Sequence, residues 1–346
     1  MVNILPSDAR LRYVGRIDHT NVDAPIFYWA GSMVEFGFSG DKLVLTIENH
    51  VHYNLPHIGY VLDGVEHKLM LDEAENSCKC YDIPVDGNGE HFFTLFKRMD
   101  NPHDFVLCGI TLADDADLTV QPRKNKLKLE FLGDSVTVGS VCEAVDYVGK
   151  CDPPVYDSCY DNAWHSYAMQ TARLLCADVH LTAQGGIAML DDAGYFESGM
   201  ASTYDKLCYC KEMGALTEWD FSQYQPDFVV IAVGQNDHHI GGLDNQPPNG
   251  LRREKWLCAY TDMISSLMRH YPKAKIVLTL TILMHDPVWE ELLDEAATML
   301  KSSRVLRFRF SRTGAATPGH PRIPEHAEMA CELTEFIRAQ ISDGIS

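Results

Sequence analysis

Phe131-Leu132-Gly133-Asp134-Ser135-Val136-Thr137-Val138-Gly139 is the stretch on which the fold turns. It follows an alternating run, Leu127-Lys128-Leu129-Glu130-Phe131, which reads as a strand. The strand ends in Gly-Asp-Ser and a glycine-spaced loop. A serine on a tight turn at the carboxyl end of a buried strand sits where an α/β sheet places reactive groups. Ser135 is therefore a candidate nucleophile. Gly, Asp and Ser are also ordinary turn formers, so the tripeptide gains meaning only from partners further along.

Downstream, buried-type strands are expected at Leu127–Leu132, Asp178–Thr182, Asp227–Val233, Lys275–Thr281 and Arg304–Phe308. Helices are expected between and after them, near Asp161–Cys176, Arg253–Tyr271, Val288–Lys301 and Glu325–Ile341. This alternation implies a parallel sheet with helices on both faces. Two irregular stretches, about 143–160 and 241–252, are long enough to be functional loops. Upstream the text changes. Short apolar runs at Ser32–Phe38, Lys42–Ile47, Ile58–Leu62, Glu66–Leu71, Glu90–Lys97 and Phe105–Ala113 are separated by turn signals. Asp63-Gly64, between two alternating runs, is a hairpin signature. Many short strands without helical periodicity indicate a β-sandwich, expected as a jelly roll. The polar connector Gln121–Asn125 divides the chain into a sandwich over 1–121 and an α/β domain over 122–346.

With 346 residues and 46% apolar side chains, the chain can bury sizeable cores. A formal net charge of -20 repels phosphate backbones and anionic membranes. Nucleic-acid and membrane partners are not expected; a neutral substrate such as a sugar chain meets no such barrier. No apolar run reaches membrane-spanning length. The first residues, Met1-Val2-Asn3-Ile4-Leu5-Pro6, lack the basic start and apolar core of a secretory signal, so a cytoplasmic protein is expected. The 11 cysteines are scattered, and neither Cys78-Lys79-Cys80 nor Cys208-Tyr209-Cys210 has zinc-knuckle spacing. Free thiols are expected, with no metal, no cofactor, and no disulfide among Cys142, Cys151 and Cys159.

Acyl transfer by a serine needs a base, a group to orient the base, and donors for the developing oxyanion. Gly185, after the second strand, offers a closely approaching backbone N–H. Asn236, in Gly234-Gln235-Asn236-Asp237 after the third, offers a side-chain NH₂. His320, in Gly319-His320-Pro321 ahead of the last helix, is the candidate base. Each also has an ordinary reading as turn, cap or structural residue.

In this order the four pieces resemble the SGNH (GDSL-type) hydrolase family. The resemblance implies a flavodoxin-like three-layer α/β/α domain with Ser135 as nucleophile and His320 as general base. It also implies an oxyanion hole of Ser135 N–H, Gly185 N–H and the Asn236 amide. Val14-Gly15-Arg16-Ile17 with Tyr28-Trp29-Ala30-Gly31-Ser32 is similar to the opening of carbohydrate esterase family 2. That family joins a jelly roll to an SGNH domain and removes acetyl groups from plant polysaccharides. Tyr60–Gly64, Phe93–Arg98 and Trp219-Asp220-Phe221-Ser222 fit the same layout. The family's aspartate three residues before the histidine is Thr317 here. The carbonyl of Thr317 or Pro318 is expected to orient His320, with Asp237 or Asp286 as carboxylate alternatives. Asp134 is assigned to fixing the nucleophile turn. Trp164, Tyr160, Trp219, His238 and His239 are candidate sugar contacts, against plain packing for Trp164. The implied partner is an acetylated xylan or mannan oligosaccharide. The rivals are a glycan-binding protein with a decayed site, motivated by Thr317, and a lipid or thioester hydrolase.

Overall fold

The computed structural model describes the chain apart from residues 73–76, 101–102, 120–124, 156–157, 238–249 and 343–346. The chain forms two compact units. One holds Met1–Lys124 with Asp157–Cys159 and Leu207–Glu218; the other holds Asn125–Tyr156, Tyr160–Lys206 and Trp219–Ser346. Apart from Asn125, the connector expected over Gln121–Asn125 lies outside the described residues.

The first unit is built on two antiparallel sheets. One runs Ile17–Asp18, Ile26–Phe27, His103–Leu112, Leu43–Val51, Lys79–Ile83, with Val2–Ile4 also paired to His103–Leu112. The other runs Leu118–Thr119, Met33–Ser39, Glu90–Phe96, His57–Leu62, Val65–Met70, with Arg12–Val14 also paired to Met33–Ser39. Alternate residues of both sheets supply one apolar core, including Phe27, Phe36, Phe38, Leu45, Phe93, Phe105 and Leu107. Asp63 and Gly64 close the hairpin with φ of 51° and 83°, the left-handed pair that a two-residue turn of matching twist needs. The sequence reading missed Lys79–Ile83. This strand lies at a sheet edge and carries Lys79 and Asp82, so its hydrophobic alternation is weak.

The second unit carries a five-stranded parallel sheet: β1 (Leu127–Gly133), β2 (Ala177–Ala183), β3 (Phe228–Ala232), β4 (Lys275–Leu278) and β5 (Val305–Arg307). Their spatial order is β2-β1-β3-β4-β5. The main helices are α1 (Tyr167–Leu174), α2 (Gly250–His270), α3 (Val288–Leu300) and α4 (Ile323–Ser342). β3 is buried along its whole length, as expected of a strand covered on both faces. The single helix expected over 161–176 is instead a 3₁₀ turn, Ala163–His165, followed by α1. The side chains of Asn162 and Ser166 accept bonds from Trp164 N and Met169 N, so two caps replace one continuous helix. The sheet order reverses between β1 and β3, and in such sheets ligands bind at the carboxyl ends of the two strands flanking the reversal. Ser135 follows β1, and Asn236 follows β3. Among the described residues no helix is long and apolar enough to cross a membrane.

Gly59 in the sandwich pairs with Phe96, and a Cβ there would lie 1.9 Å from the Phe96 ring. We expect Gly59→Ala to lose about 1–3 kcal/mol through overpacking. A urea titration should show a lower midpoint at unchanged slope. An unchanged midpoint would mean that the ring moves aside at no cost.

Candidate active site

The turn after β1 is wound tightly enough to present a side chain at the sheet rim. Thr137 N and Val138 N both donate to the Asp134 carbonyl, at 3.0 and 3.1 Å, and Ser140 N donates to Ser135 O at 2.9 Å. The Asp134 side chain closes the turn by accepting from Val136 N at 3.1 Å. Asp134 is buried, and its Oδ2 has no hydrogen-bond partner among the described residues. Burial pushes its carboxyl up to about 6. Gln184 N donates to Gly133 O at 3.2 Å, tying the end of β2 to the same turn.

The Ser135 Oγ lies 2.8 Å from His320 Nε2, although 185 residues separate the two. On the other side of the ring, His320 Nδ1 lies 2.7 Å from Asp152 Oδ2. An ionised carboxylate only accepts, so Nδ1 carries the proton and Nε2 turns its lone pair to the serine hydroxyl. Asp152 Oδ1 is occupied as well: it accepts from His320 N at 2.9 Å and from Arg322 Nη2 at 2.8 Å. Arg322 is fully buried, and its Nη1 donates to His320 O. Burial alone would raise the Asp152 carboxyl. The hydrogen bond and charge of His320, with the bond from Arg322, outweigh it and hold Asp152 well below the usual carboxylate range.

This corrects the expectation of a backbone carbonyl behind His320. The Thr317 carbonyl accepts from Met284 N at 2.9 Å, and the Thr317 hydroxyl donates to Gly319 O at 3.0 Å. Thr317 is thus consumed by the packing of its own loop, and the carboxylate arrives from the 143–160 stretch. Gly319 permits the approach: a Cβ there would lie 2.7 Å from Asp152 N and Asp152 Oδ1. Asp237, an alternative named for the same task, is engaged elsewhere. It accepts from Met189 N at 2.7 Å and Leu190 N at 3.2 Å, and burial pushes its carboxyl up to about 7. Asp286 accepts from Val288 N at 2.9 Å, at the start of α3.

Asn236 Nδ2 donates to Ile187 O at 3.0 Å, which fixes the amide plane beside the loop carrying Gly185. The sugar-contact candidates fare differently. Trp164 lies under the Arg173 guanidinium, 4.3 Å from the ring centre. Trp219 is 6% exposed and edge-on to His180 in the middle of β2, so it serves packing and leaves no face for a sugar. Tyr160 is half-buried, and its carbonyl accepts from Glu143 N. His238 and His239 lie outside the described residues. Asp152 and Arg322 were missed in the sequence. The only signals were an aspartate before Pro153-Pro154 inside a long irregular stretch, and an arginine two residues after His320.

Residues 131–307 match the model of the GDSL-like Lipase/Acylhydrolase family, and residues 13–122 match the model described as Carbohydrate esterase 2 N-terminal. An acetylxylan esterase / glucomannan deacetylase of Cellvibrio japonicus is 29% identical over 356 residues, spanning 98% of this chain and 91% of that protein. The structure of a family two carbohydrate esterase from Cellvibrio japonicus superposes with a TM-score of 0.81 at 26% identity, covering 100% of this chain and 99% of the other. A family two carbohydrate esterase from Clostridium thermocellum, in complex with cellohexaose, superposes with a TM-score of 0.80 at 25% identity, covering 96% of this chain and 99% of the other.

Asp152→Asn is expected to lower kcat for 4-nitrophenyl acetate by about 10⁴-fold with little change in KM, since the amide favours the wrong imidazole tautomer. A variant within a few-fold of the parent would mean that another group orients His320. Asp134 gives a pH prediction. Its folded pKa, about 6, lies above the ordinary aspartate value of about 3.9, so ionisation penalises the folded state as pH rises through that interval. Relative to Asp134→Asn, the parent should lose stability between pH 4 and 7, on the order of 3 kcal/mol in all. Parallel stability curves for the two proteins would show that Asp134 does not titrate there.

Proposed function

This chain belongs to the GDSL-like lipase/acylhydrolase family and is a carbohydrate esterase, and from that premise we propose a finer reading. Its substrates are acetylated oligosaccharides of xylan or mannan origin, and it removes their O-acetyl groups through a Ser135–His320 acyl-enzyme mechanism. The relay of 2.8 Å from Ser135 Oγ to His320 Nε2 and 2.7 Å from His320 Nδ1 to Asp152 Oδ2 carries this reading. The acetyl substrate is supported by a relative, an acetylxylan esterase / glucomannan deacetylase, that aligns over nearly the whole chain.

In the proposed reaction His320 Nε2 takes the Ser135 proton as Oγ attacks the acetyl carbonyl carbon. The new C–O bond pushes the carbonyl electrons onto oxygen. Ser135 N–H, Gly185 N–H and the second Asn236 N–H receive that charge; one such donor is worth about 10²–10³ in rate. The imidazolium is stabilised by Asp152, which Arg322 and His320 N hold in place. The ester bond to the sugar then breaks, and the sugar oxygen takes the proton from Nε2. Water, deprotonated by the same nitrogen, attacks the acetyl-enzyme and releases acetate and free Ser135. Asp152 also supplies the carboxylate whose lack at position 317 motivated a decayed binding site.

Acetate release from a panel of acetylated xylan and mannan oligosaccharides tests the proposal, with the positions followed by NMR. The parent should release acetate, and Ser135→Ala should lose at least about 10³-fold. Binding without release would favour a glycan-binding protein. A preference for long acyl chains among 4-nitrophenyl esters would favour a lipid hydrolase. Turnover by Ser135→Ala at the parent rate would end the serine mechanism.

A further inference from the structure

On the sandwich, far in sequence from the catalytic residues, three ligand-type side chains meet across neighbouring strands: Glu48, Cys78 and Cys108. Their donor atoms all lie within 4.8 Å of one another. The sulfurs of Cys78 and Cys108 are 2.7 Å apart, and Cys78 Sγ is 3.9 Å from Glu48 Oε2. Ladder register explains the meeting. Leu43–Val51 lies between Lys79–Ile83 and His103–Leu112. Ile47 pairs with Lys79, which puts Cys78 beside Glu48 on one flank. Val106 pairs with Glu48 on the other, and the register shifts between Leu107 and Gly109, making Cys108 the extra residue of a β-bulge. The bulge swings a thiol that regular pairing would place elsewhere.

Two thiols this close join either through a disulfide or through a shared cation. A disulfide makes no use of the neighbouring carboxylate; a cation takes all three groups, and Glu48 stands within 4.8 Å of both sulfurs as a third ligand. An independent feature supports this. Glu48 Oε1 bonds His50 Nε2 at 3.0 Å, His50 Nδ1 bonds the buried Asp104 at 2.8 Å, and Asp104 bonds His52 Nε2 at 3.0 Å. Such a chain behind a carboxylate fixes its orientation, as outer partners do for metal ligands.

We propose that Glu48, Cys78 and Cys108 form a site for one borderline-soft divalent cation of the zinc type. Two thiolates and a carboxylate suit such an ion, and a solvent molecule completes the tetrahedron. Binding replaces the two thiol protons, which pass to solvent. The site is separate from the ester chemistry and clips the edge strand Lys79–Ile83 to the bulge. Sequence spacing could not reveal it, because its ligands come from two strands and from the residue just before a third.

The test uses the full-length protein, reduced, stripped with chelator, desalted without oxygen and titrated with Co²⁺. One equivalent should bind with thiolate-to-cobalt charge-transfer absorption. Cys78→Ser and Cys108→Ser should each weaken binding at least about 100-fold, and His50→Ala about 10- to 100-fold. Cys80→Ser, a neighbouring thiol outside the cluster, should bind as the parent does, which controls for folding of the sandwich. Ester turnover should be the same in all four variants. The proposal is overturned if the parent binds no cobalt, or if the charge-transfer bands survive in Cys78→Ser/Cys108→Ser. It is also overturned if the isolated protein is lighter by two hydrogens and neither thiol reacts, because the two are then bonded to each other.

Discussion

Asp152 holds an imidazole and a guanidinium on one carboxylate, and much of the second unit is arranged around that contact. Its Oδ2 takes the imidazole proton, while its Oδ1 takes the Arg322 guanidinium and the His320 backbone N–H. Arg322 is fully buried, and a buried guanidinium without an anion costs several kcal/mol. The fold therefore needs Asp152 to neutralise Arg322, and the proposed chemistry needs the same carboxylate to orient His320. The two demands fix each other. A half-exposed aspartate on a long loop would be a poor orienting group by itself, but Arg322 and the close approach at Gly319 leave it one place to be.

The reversal of strand order explains why the remaining parts converge. β1 and β3 lie side by side but send their chains to opposite faces, so the turns after them diverge around a crevice. Two buried aspartates fasten the backbone there. Asp134 closes the turn that carries Ser135, and Asp237 staples the turn after β3 to Met189 and Leu190. Burial raises both carboxyls, to about 6 and about 7, so each holds its loop at some cost in stability once ionised. That cost is consistent with a site in which positioning of the backbone matters more than stability.

The legible parts of the sequence were those governed by local rules. Alternation, turn chemistry and helical spacing located the parallel strands, the Asp63-Gly64 hairpin and the helices after β3. Ser135, His320 and Asn236 were readable because each follows a strand or precedes a helix in a short motif. Asp152 was not: it stands 168 residues before His320, and only tertiary packing brings them together. The motif position at 317 therefore suggested the wrong substitute, a carbonyl that packing had already engaged. Trp219 misled for a similar reason. An aromatic near a motif is near it in sequence only, and His180 claims its ring. The edge strand at Lys79–Ile83 escaped because its outward residues answer to solvent rather than to the core.

Charge connects the site to the composition. The proposed reaction converts a neutral ester into a neutral sugar and an anion. A formal charge of -20 does nothing to an uncharged oligosaccharide on its way in. It does oppose retention of acetate, which forms beside Asp152 and close to the buried Asp134. Among the described residues, the buried Arg322 at this position is already matched by Asp152 and does not offer the product a partner. The proposed oxyanion donors are neutral amides, which would favour the transient tetrahedral charge by geometry and then let a planar carboxylate go. An acidic protein with a charge-balanced relay is thus suited to a neutral substrate and an anionic product, and poorly suited to the reverse.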